Sequence, residues 1–489
     1  MTGMRTHSES GTELEKDMPR IGYRLEADSL GSVDIPDGAY WGIHTARALT
    51  NFQISGVPVS HYPHLVRALA AVKLAAALAN SEIGILSPQK ASAIAEVCRE
   101  IDDGLHHDQF CVDVIQGGAG TSTNMNANEV IANLALEKLG HERGQYEYLH
   151  PIDDVNRCQS TNDAYPTALK VALSFAAQDL LRELDALSKA FAAKGREFAH
   201  VVKIGRTQLQ DAVPMTLGQE FAAFGATLAE DHHRHLELLP LLGECSLGAT
   251  AIGTGITADP AYAGSVLKHL ARVTGLVLRP AENLIEATWD TGVFMLFSGV
   301  LKRSAIKLSK ISSDLRLLSS GPQAGLAEIF LPARQAGSSI MPGKVNPVIP
   351  EMINQIAFAI AGSDVTVTMA ADNGQLQLNA FEPIIGHSLL QGVSWLTKGC
   401  RALRELCVEG ITANEVLLAT RSAESVSMVT ALIPSIGYAA AADIAREALT
   451  TKAKVVDLVV NSGLLGREQA LALMSLETLS RRRVTPDHG

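Results

Sequence analysis

Residues 167–191 read TALKVALSFAAQDLLRELDALSKAF, and this stretch carries the strongest helical pattern in the chain. Its large apolar side chains recur about every 3.6 residues, so they fall on one face of an α-helix. This stripe consists of Leu169, Leu173, Leu180, Leu184, Leu187 and Phe191. A helix of this extent is on the order of 30 Å long. The pattern predicts a mainly α fold built around a long central helix.

Helical patterns return on both sides of this stretch. Residues 215–242, 289–320, 350–369 and 376–406 also have helical spacing and wide apolar faces. Aromatic residues make up only 5% of a chain that is 47% hydrophobic, which favours tightly packed helices over a β-sandwich. Such wide apolar faces predict an elongated helical bundle covered by other subunits. One large monomeric helical domain is the alternative.

Changes in sequence pattern divide the 489 residues into four parts. They are a disordered N-terminal extension (1–20), an N-terminal domain (21–158), a central helical bundle domain (159–413) and a small C-terminal helical domain (414–489). The N-terminal domain opens on a polar, turn-rich segment at 23–36, where short strands or loops are expected. The C-terminal domain contains shorter predicted helices at 430–449 and 455–473.

Charge and cysteine content exclude several classes of protein. A net charge of −11 argues against a nucleic-acid partner, and the only marked basic run lies at 481–483. No apolar run is long enough to span a membrane, and the N-terminus lacks a signal-peptide core. The six cysteines form no Cys-x-x-Cys pair, which predicts reduced thiols in a cytoplasmic protein.

A loop-forming segment at 337–347, GSSIMPGKVNP, has the residues of an anion-binding site. Gly337 and Gly343 allow tight bends that bring backbone N–H groups close to a bound anion. Lys344 adds a positive charge, and an asparagine amide adds a neutral donor. Ser338 is a candidate nucleophile or base. The alternative for the isolated segment is a mobile surface turn.

Three further segments are rich in hydroxyl and amide donors: 117–126 (GGAGTSTNMN), 159–163 (QSTND) and 205–216 (GRTQLQDAVPMT). The first lacks the third glycine of a dinucleotide-binding fingerprint. The hydroxyls of the second are equally suited to capping the helix that follows, although a helix N-terminus lined with hydroxyls also suits a carboxylate. In the third, Arg206 and Asp211 would by themselves most simply form an ion pair.

Clustered histidines at 232–235 are the only hint of a metal site. They lie among acidic and basic residues on a predicted helix, with no matching set of cysteines or carboxylates. A solvated helix face is the expected explanation. The sequence predicts no metal site and no cofactor, and activation by Mg²⁺ is not readable from it.

Taken together, the four polar segments resemble the aspartase/fumarase superfamily, a group of lyases that make fumarate from substituted succinates. The resemblance extends from about residue 21 to about residue 449. It implies a three-domain, mainly α subunit with a long central helical bundle. It also implies a homotetramer with a core of helices, in which each active site combines segments of three subunits.

The resemblance also implies roles for individual residues in an anti elimination. Ser338 would act as the base that removes a proton from C3 of the substrate. The β-carboxylate, where negative charge grows, would be bound by Thr121, Ser160, Thr161 and Ser339. The α-carboxylate would be bound by Thr207, Lys344 and Asn346. Asn162 and Gln208 would lie near the amino group, with Glu351 as a supporting residue behind the substrate.

Gln208 discriminates among the reactions of the superfamily. Fumarases are expected to have histidine after Gly-Arg-Thr, whereas the lyases that deaminate L-aspartate have histidine or glutamine. Hydroxide is a poor leaving group that needs a proton donor, and Gln208 cannot supply one. An ammonium group already carries its proton. The expected reaction is the reversible conversion of L-aspartate into fumarate and ammonia.

Three alternatives stay open. They are a class II fumarate hydratase, a lyase for another amino-substituted succinate, and a non-catalytic structural homologue. The C-terminal domain departs from the pattern of the superfamily, because Ile433 stands in place of an asparagine and Ala439 in place of an acidic residue. Both changes remove a polar group, so the resemblance is weakest in that domain.

Overall fold

The computed structural model describes residues 22–475 and residue 478. The extension predicted at 1–20 and the basic run at 481–483 lie outside the described residues. The α-helices are α1 (Ile43–Asn51), α2 (Pro63–Glu82), α3 (Pro88–Asp102), α4 (Thr121–Lys138), α5 (Thr161–Glu197), α6 (Leu217–Leu242), α7 (Tyr262–Thr274), α8 (Glu286–Trp289), α9 (Gly292–Leu318), α10 (Val348–Asp372), α11 (Glu382–Leu406), α12 (Glu415–Glu424), α13 (Ile433–Ile436), α14 (Tyr438–Thr451), α15 (Val455–Asn461) and α16 (Arg467–Leu473). The mainly α fold is confirmed.

The strands of the described residues form four small two-stranded sheets. They are β1 (Tyr23–Asp28), β2 (Gly31–Pro36), β3 (Val202–Thr207), β4 (Gln210–Thr216), β5 (Glu244–Cys245), β6 (Arg279–Pro280), β7 (Ile329–Phe330) and β8 (Thr412–Ala413). The β1–β2 hairpin confirms the expectation of short strands at 23–36. Three of the pairs are antiparallel, and β5 with β6 is parallel.

The apolar stripe of α5 is buried as its spacing predicts. Leu169, Leu173, Leu180, Leu184 and Leu187 are each fully buried, as is Phe191. Their burial explains why so long a helix forms, because packing of an apolar face contributes more to helix stability than intrinsic propensity.

The chain folds into two compact units. Among the described residues, the first unit comprises 22–171 together with Glu244–Trp289 and Gln375–Pro383. In it, α2 packs against α3 and α7. The second unit comprises Ala172–Gly243, Asp290–Gly374 and the described residues from Ile384 onward. In it, α9 packs against α10 and α6. The domain boundaries expected after residues 158 and 413 stay a prediction.

Some predicted helices have different limits in the structure. The segment 455–473 is two helices, α15 and α16, because Gly463 adopts a positive φ of 70° between them. The last long helix begins only at Glu382, since residues 376–381 form turns. Ile433 packs against the apolar cluster of the C-terminal helices, so its side chain adds to that small core.

Helix α10 leaves large apolar side chains in solvent. Phe358, Val365 and Met369 are 65%, 57% and 63% exposed. They share one face, because positions seven and four residues apart return to the same side of an α-helix.

Among the described residues no single helix suits a bilayer crossing, and only the bent pair of Glu415–Glu424 with Val426–Ile436 has the length and composition for one.

Candidate active site

The loop at 337–347 lies between β7 and α10 and is closed at its neck by two hydrogen bonds. The Gly337 N–H donates to the Lys344 carbonyl at 2.8 Å, and Asn346 Nδ2 donates to the Gly337 carbonyl at 2.7 Å. A Cβ atom on Gly337 would lie 2.6 Å from the Lys344 carbonyl oxygen. Gly343 has a positive φ of 79°, a conformation that favours glycine. Both glycines therefore have a local backbone role.

Inside this loop, Ser338 is held by the backbone that follows it. Its Oγ accepts hydrogen bonds from the N–H groups of Ile340 at 3.2 Å and Met341 at 3.0 Å. Two donors aimed at one hydroxyl oxygen stabilise that oxygen when it carries negative charge. This geometry suits a serine that acts as a base. Ile340, 84% exposed, lies at the outer edge of the loop.

A cavity of about 730 Å³ borders the loop within the second unit. Lys344, Asn346 and Glu351 contribute to its wall, as does Arg316. Three of the predicted site residues thus line one cavity. Ser338 lines a neighbouring cavity of about 450 Å³ together with Lys344. The lysine is common to both.

Thr207 and Gln208 lie at the tip of the β3–β4 hairpin, in the second unit. Thr207 pairs with Gln210, so the turn consists of Gln208 and Leu209 alone. Both turn residues have positive φ, 54° and 63°. Two-residue turns with two positive φ values match the twist of the strands, but they are usually built from Asn and Gly. The sequence of this hairpin therefore lacks the usual turn signal.

Arg206, beside Thr207, pairs with Asp211 in the strand register but does not form the side-chain ion pair that the two residues by themselves suggested. Its guanidinium donates instead to the carboxylate of Glu328. The side chain of Glu328 is only 2% exposed. The ammonium of Lys203, also buried, lies 2.8 Å from the same carboxylate. Burial raises the pKa of Glu328, but the hydrogen bonds and charges of Arg206 and Lys203 outweigh it, so that the pKa is lowered overall. Glu328 thereby holds β3, the strand that leads to the turn.

Thr121 begins α4 in the first unit, after a run of left-handed backbone. Gly118, Ala119 and Gly120 have φ values of 89°, 55° and 86°. A Cβ atom on Gly120 would lie 2.6 Å from the ring of Tyr165, so the glycine allows a close approach of the two segments. The Thr121 hydroxyl is exposed and donates to the Gly118 carbonyl at 2.7 Å.

Ser160, Thr161 and Asn162 form the start of α5, also in the first unit. Ser160 Oγ accepts from the Asn162 N–H at 3.2 Å, and Asp163 accepts from the Ser160 N–H at 2.9 Å. Of the hydroxyls considered for a capping role, that of Ser160 fulfils it. It is compatible with ligand binding, because a hydroxyl that accepts one hydrogen bond still has its proton to donate.

Asp163 ties this helix start to the turn at 248–251. Its buried carboxylate accepts from the N–H groups of Gly248 at 3.1 Å and Thr250 at 2.9 Å. Burial raises the pKa of Asp163 to about 6 despite these bonds. Asn162 Nδ2 donates to the Ala251 carbonyl at 2.7 Å. The Asn162 amide oxygen is thereby left to face a donor, such as an ammonium group.

The histidine cluster differs from its prediction at one position. His232 and His233 are at least partly exposed, but His235 is buried and its Nε2 lies 3.0 Å from Ser304 Oγ. Burial lowers the pKa of His235 to about 4. In the described part of the chain, no group of three or more His, Cys, Asp or Glu side chains is arranged to hold a metal ion.

The predicted site residues thus fall into two sets. Thr121, Ser160, Thr161 and Asn162 belong to the first unit, and Asn124 Nδ2 links two of their helices by donating to Thr161 Oγ1 at 3.1 Å. The second unit contains Thr207, Gln208, Ser338, Ser339, Lys344, Asn346 and Glu351. The sequence carries no signal for the buried charges behind these sets, which are Asp163, Glu328 and Lys73 of α2.

Comparison with known proteins gives the family. The family model described as Lyase matches residues 31–362, and the one described as Fumarase C C-terminus matches residues 428–481. The crystal structure of fumarate lyase:delta crystallin from Brucella melitensis bound to cobalt superposes with a TM-score of 0.91 at 54% identity, covering 94% of this chain and 100% of that one. The chain therefore belongs to the lyase family, within the aspartase/fumarase superfamily, and the resemblance seen in its sequence is confirmed.

The curated relatives are more specific. Aspartate ammonia-lyase of Pseudomonas canavaninivorans is 57% identical over 465 residues, which cover 95% of this chain and 98% of that protein. Aspartate ammonia-lyase of Pseudomonas aeruginosa is 55% identical over 469 residues, which cover 96% of this chain and 99% of that protein. The similarity is thus to whole proteins of that name.

Proposed function

We propose that this protein is an aspartate ammonia-lyase, which reversibly deaminates L-aspartate to fumarate and ammonia. The observation that carries the proposal is the position of Ser338, whose Oγ accepts two backbone N–H groups of its own loop. The full-length similarity to proteins named aspartate ammonia-lyase supports the same substrate. The enzyme is a carbon–nitrogen lyase.

Proton abstraction is the first chemical step. Ser338 Oγ, ionised or strongly polarised, takes a proton from C3 of L-aspartate, and the electron pair moves into the β-carboxylate. The loop N–H groups of Ile340 and Met341 stabilise the ionised oxygen, and Lys344 adds positive charge nearby. Elimination then expels the amino group as ammonia and leaves fumarate. Base and leaving group act on opposite faces of the substrate.

Stabilisation of the dianionic intermediate is the second requirement. Its extra charge grows on the β-carboxylate, so hydroxyl donors aimed at that group lower the barrier. Each such donor contributes roughly 3–4 kcal/mol. The proposed donors are Thr121, Ser160, Thr161 and Ser339, of which Thr121 must first turn its hydroxyl away from the Gly118 carbonyl. The helix N-termini at which the first three lie add to the positive potential.

Orientation of the rest of the substrate falls to the other predicted residues. We assign the α-carboxylate to Thr207, Lys344 and Asn346, with Glu351 as a supporting residue in the same cavity. The amino group lies near Gln208 and the amide oxygen of Asn162. Gln208 cannot protonate a departing hydroxide, so deamination is favoured over the fumarate hydratase reaction. The chemistry uses side chains only, with no cofactor.

A homotetramer with composite active sites is the proposed assembly. The exposed face of α10, with Phe358, Val365 and Met369, supports burial of helices against other subunits. The members of the superfamily combine segments of three subunits in each site. We therefore assign the two sets of site residues, together with the three-domain subunit, to such an assembly. Six free cysteines agree with a cytoplasmic location.

Ultraviolet detection of fumarate tests the proposed reaction. Purified protein is offered L-aspartate and L-malate separately, with Ser338→Ala as the inactive variant and the exposed Ser92→Ala as its matched control. We expect fumarate from aspartate alone, abolished only in Ser338→Ala. Fumarate from malate alone would indicate a hydratase. If a folded tetramer releases fumarate from neither substrate, the result would indicate another amine substrate or a non-catalytic homologue.

Mixing two inactive variants tests the composite site. Ser338→Ala and Thr161→Val change residues of different units. If each active site takes Ser338 and Thr161 from different subunits, a hybrid tetramer contains some sites in which neither residue is altered. We expect activity to return after the variants are unfolded and refolded together, to about a quarter of the wild-type value for random assembly. No recovery would place both residues of a site in one subunit.

A further inference from the structure

Lys73 is a buried ammonium group that the proposed mechanism does not use. It lies in the middle of α2 and is fully buried. Its Nζ lies 2.7 Å from Asn124 Oδ1, 2.9 Å from Asn156 Oδ1 and 2.9 Å from Gln159 Oε1. All three acceptors are neutral amide oxygens. A buried charge with only neutral partners is costly. This cost points to a role for the ammonium group in orienting its neighbours.

The chemistry of the ammonium group fixes the orientation of these amides. Lysine in its charged form has three N–H donors and no acceptor, so each amide must turn its oxygen towards it. The amide of Asn124 therefore turns its Nδ2 the other way. There it donates to Thr161 Oγ1 at 3.1 Å and to Asn156 Oδ1 at 3.1 Å. Lys73 thus determines which end of the Asn124 amide meets Thr161.

This orientation determines the role of the Thr161 hydroxyl. An NH₂ group only donates, so the hydroxyl accepts from Asn124 and its own proton points elsewhere. A carboxylate only accepts, and it therefore requires a hydroxyl that donates. We propose that Lys73, acting through Asn124, is a positioning residue that holds the Thr161 hydroxyl as a hydrogen-bond donor to the substrate carboxylate. This inference rests on the proposed function of Thr161.

Burial opposes the charged form of Lys73, whereas the hydrogen-bond geometry around its Nζ requires that form. Burial lowers the pKa of Lys73 to about 7, while the negative charge of Asp163 and the thiol of Cys98 act in the opposite direction. Asp163 is itself buried at the start of α5. The three oxygens around Nζ require three N–H groups, which only the ionised form has. The ammonium thus also adds positive potential behind a helix N-terminus that is proposed to bind a dicarboxylate.

The substitution Asn124→Asp separates this role from a structural one. Aspartate keeps an oxygen for Lys73 and gives that buried cation a charged partner, so we expect the melting temperature to be unchanged or higher. It also replaces the NH₂ donor by an oxygen that accepts the Thr161 proton and repels a carboxylate. We expect the affinity for succinate, measured by calorimetry, to fall at least about 100-fold, with a similar loss in kcat/KM for L-aspartate.

A double-mutant cycle gives a second, independent test. Lys73→Met removes the group that orients Asn124, and Thr161→Val removes the hydroxyl while keeping the shape of the side chain. Lys73→Met is expected to lower succinate affinity about tenfold in the wild-type background and to have little further effect in Thr161→Val. A residue that only supports the fold would produce the same loss in both backgrounds.

The outcomes distinguish this inference from the proposed function. Calorimetry with succinate needs no turnover. Wild-type protein that binds succinate but does not release fumarate from aspartate would overturn the proposed function. The role of Lys73 in succinate binding could then still be tested. Wild-type succinate affinity in Asn124→Asp, or simple additivity in the cycle, would overturn the inference alone. A wild-type protein that binds no succinate would overturn both.

Discussion

The guanidinium of Arg206 donates a hydrogen bond to the buried carboxylate of Glu328, across 122 residues of sequence. Lys203 shares this carboxylate, and both cations belong to β3, the strand that leads to Thr207. Glu328, together with Glu220, which lies 2.7 Å from the Lys203 ammonium, therefore anchors the hairpin whose tip is proposed to contact the substrate.

Glu328→Gln is expected to destabilise the protein by about 1–3 kcal/mol, because Arg206 loses its counter-charge whereas Lys203 keeps the carboxylate of Glu220 at 2.7 Å. The KM for L-aspartate should rise as the hairpin tip loses its support. Thermal unfolding and steady-state kinetics measure the two effects. The exposed Glu424→Gln is the matched control and should change neither. Equal stability of Glu328→Gln and the wild type would show that the ion pairs contribute no net stabilisation.

The two glycines of the Ser338 loop should differ sharply in their tolerance of a methyl group. In Gly337→Ala the new Cβ meets the Lys344 carbonyl oxygen at 2.6 Å, whereas no atom lies within 4 Å of a Cβ on Gly343. We expect kcat/KM to fall at least about 100-fold in Gly337→Ala, because displacement of the reacting group by about 1 Å has effects of that size.

Gly343→Ala suffers only from its positive φ, which costs roughly 1–2 kcal/mol. We expect kcat/KM to fall less than tenfold, because a strain that is the same in the free enzyme and in the substrate complex cancels. A larger loss in Gly343→Ala than in Gly337→Ala would contradict the view that the neck of the loop positions Ser338. Assays of fumarate release at several aspartate concentrations separate KM from kcat in each variant.

Gln208→Leu tests the contact that is proposed near the amino group. Removal of one hydrogen bond to a charged group should reduce kcat/KM for L-aspartate by about 10- to 100-fold. Gln210→Leu, two positions along the same exposed hairpin, provides the matched control and should retain activity. If both variants lose activity equally, the effect comes from the hairpin rather than from the Gln208 side chain.

The stability of the protein should depend on pH through Glu382. Burial raises the pKa of this carboxyl to about 8, against a weaker opposing effect of the Lys170 charge. Glu382 is therefore protonated in the folded state at pH 7 but ionised in the unfolded chain. Between the unfolded value of about 4.5 and the folded value, folding takes up a proton, so stability falls as pH rises.

Melting temperatures between pH 5 and 8.5 measure this contribution. Glu382→Gln mimics the protonated carboxyl, so its melting temperature should fall less than that of the wild type as the pH rises over this range. Glu447→Gln, at an exposed position, should leave the pH dependence unchanged. Identical pH profiles for Glu382→Gln and the wild type would show that Glu382 does not titrate between these limits.

The sequence alone determined the features that depend on near neighbours in the chain. The apolar stripe of α5 and the helix start at Thr161 follow from side-chain spacing and local capping. The donor-rich loops were likewise recognisable, because hydroxyls, glycines and a lysine lie within a few residues of one another. These features, with the resemblance they carry, were enough to predict the fold class and the family.

Only the tertiary structure decided which groups support those loops. The β3–β4 turn uses Gln208 and Leu209 where a hairpin usually has Asn and Gly, so its local sequence gave no signal. Arg206 has an acidic residue nearby in sequence, yet it binds Glu328. Lys73 meets Asn124 and Asn156 across 51 and 83 residues. The physical reason is that a buried charge is stabilised by whichever partners the packing of distant helices brings to it, and one-dimensional spacing does not contain that information.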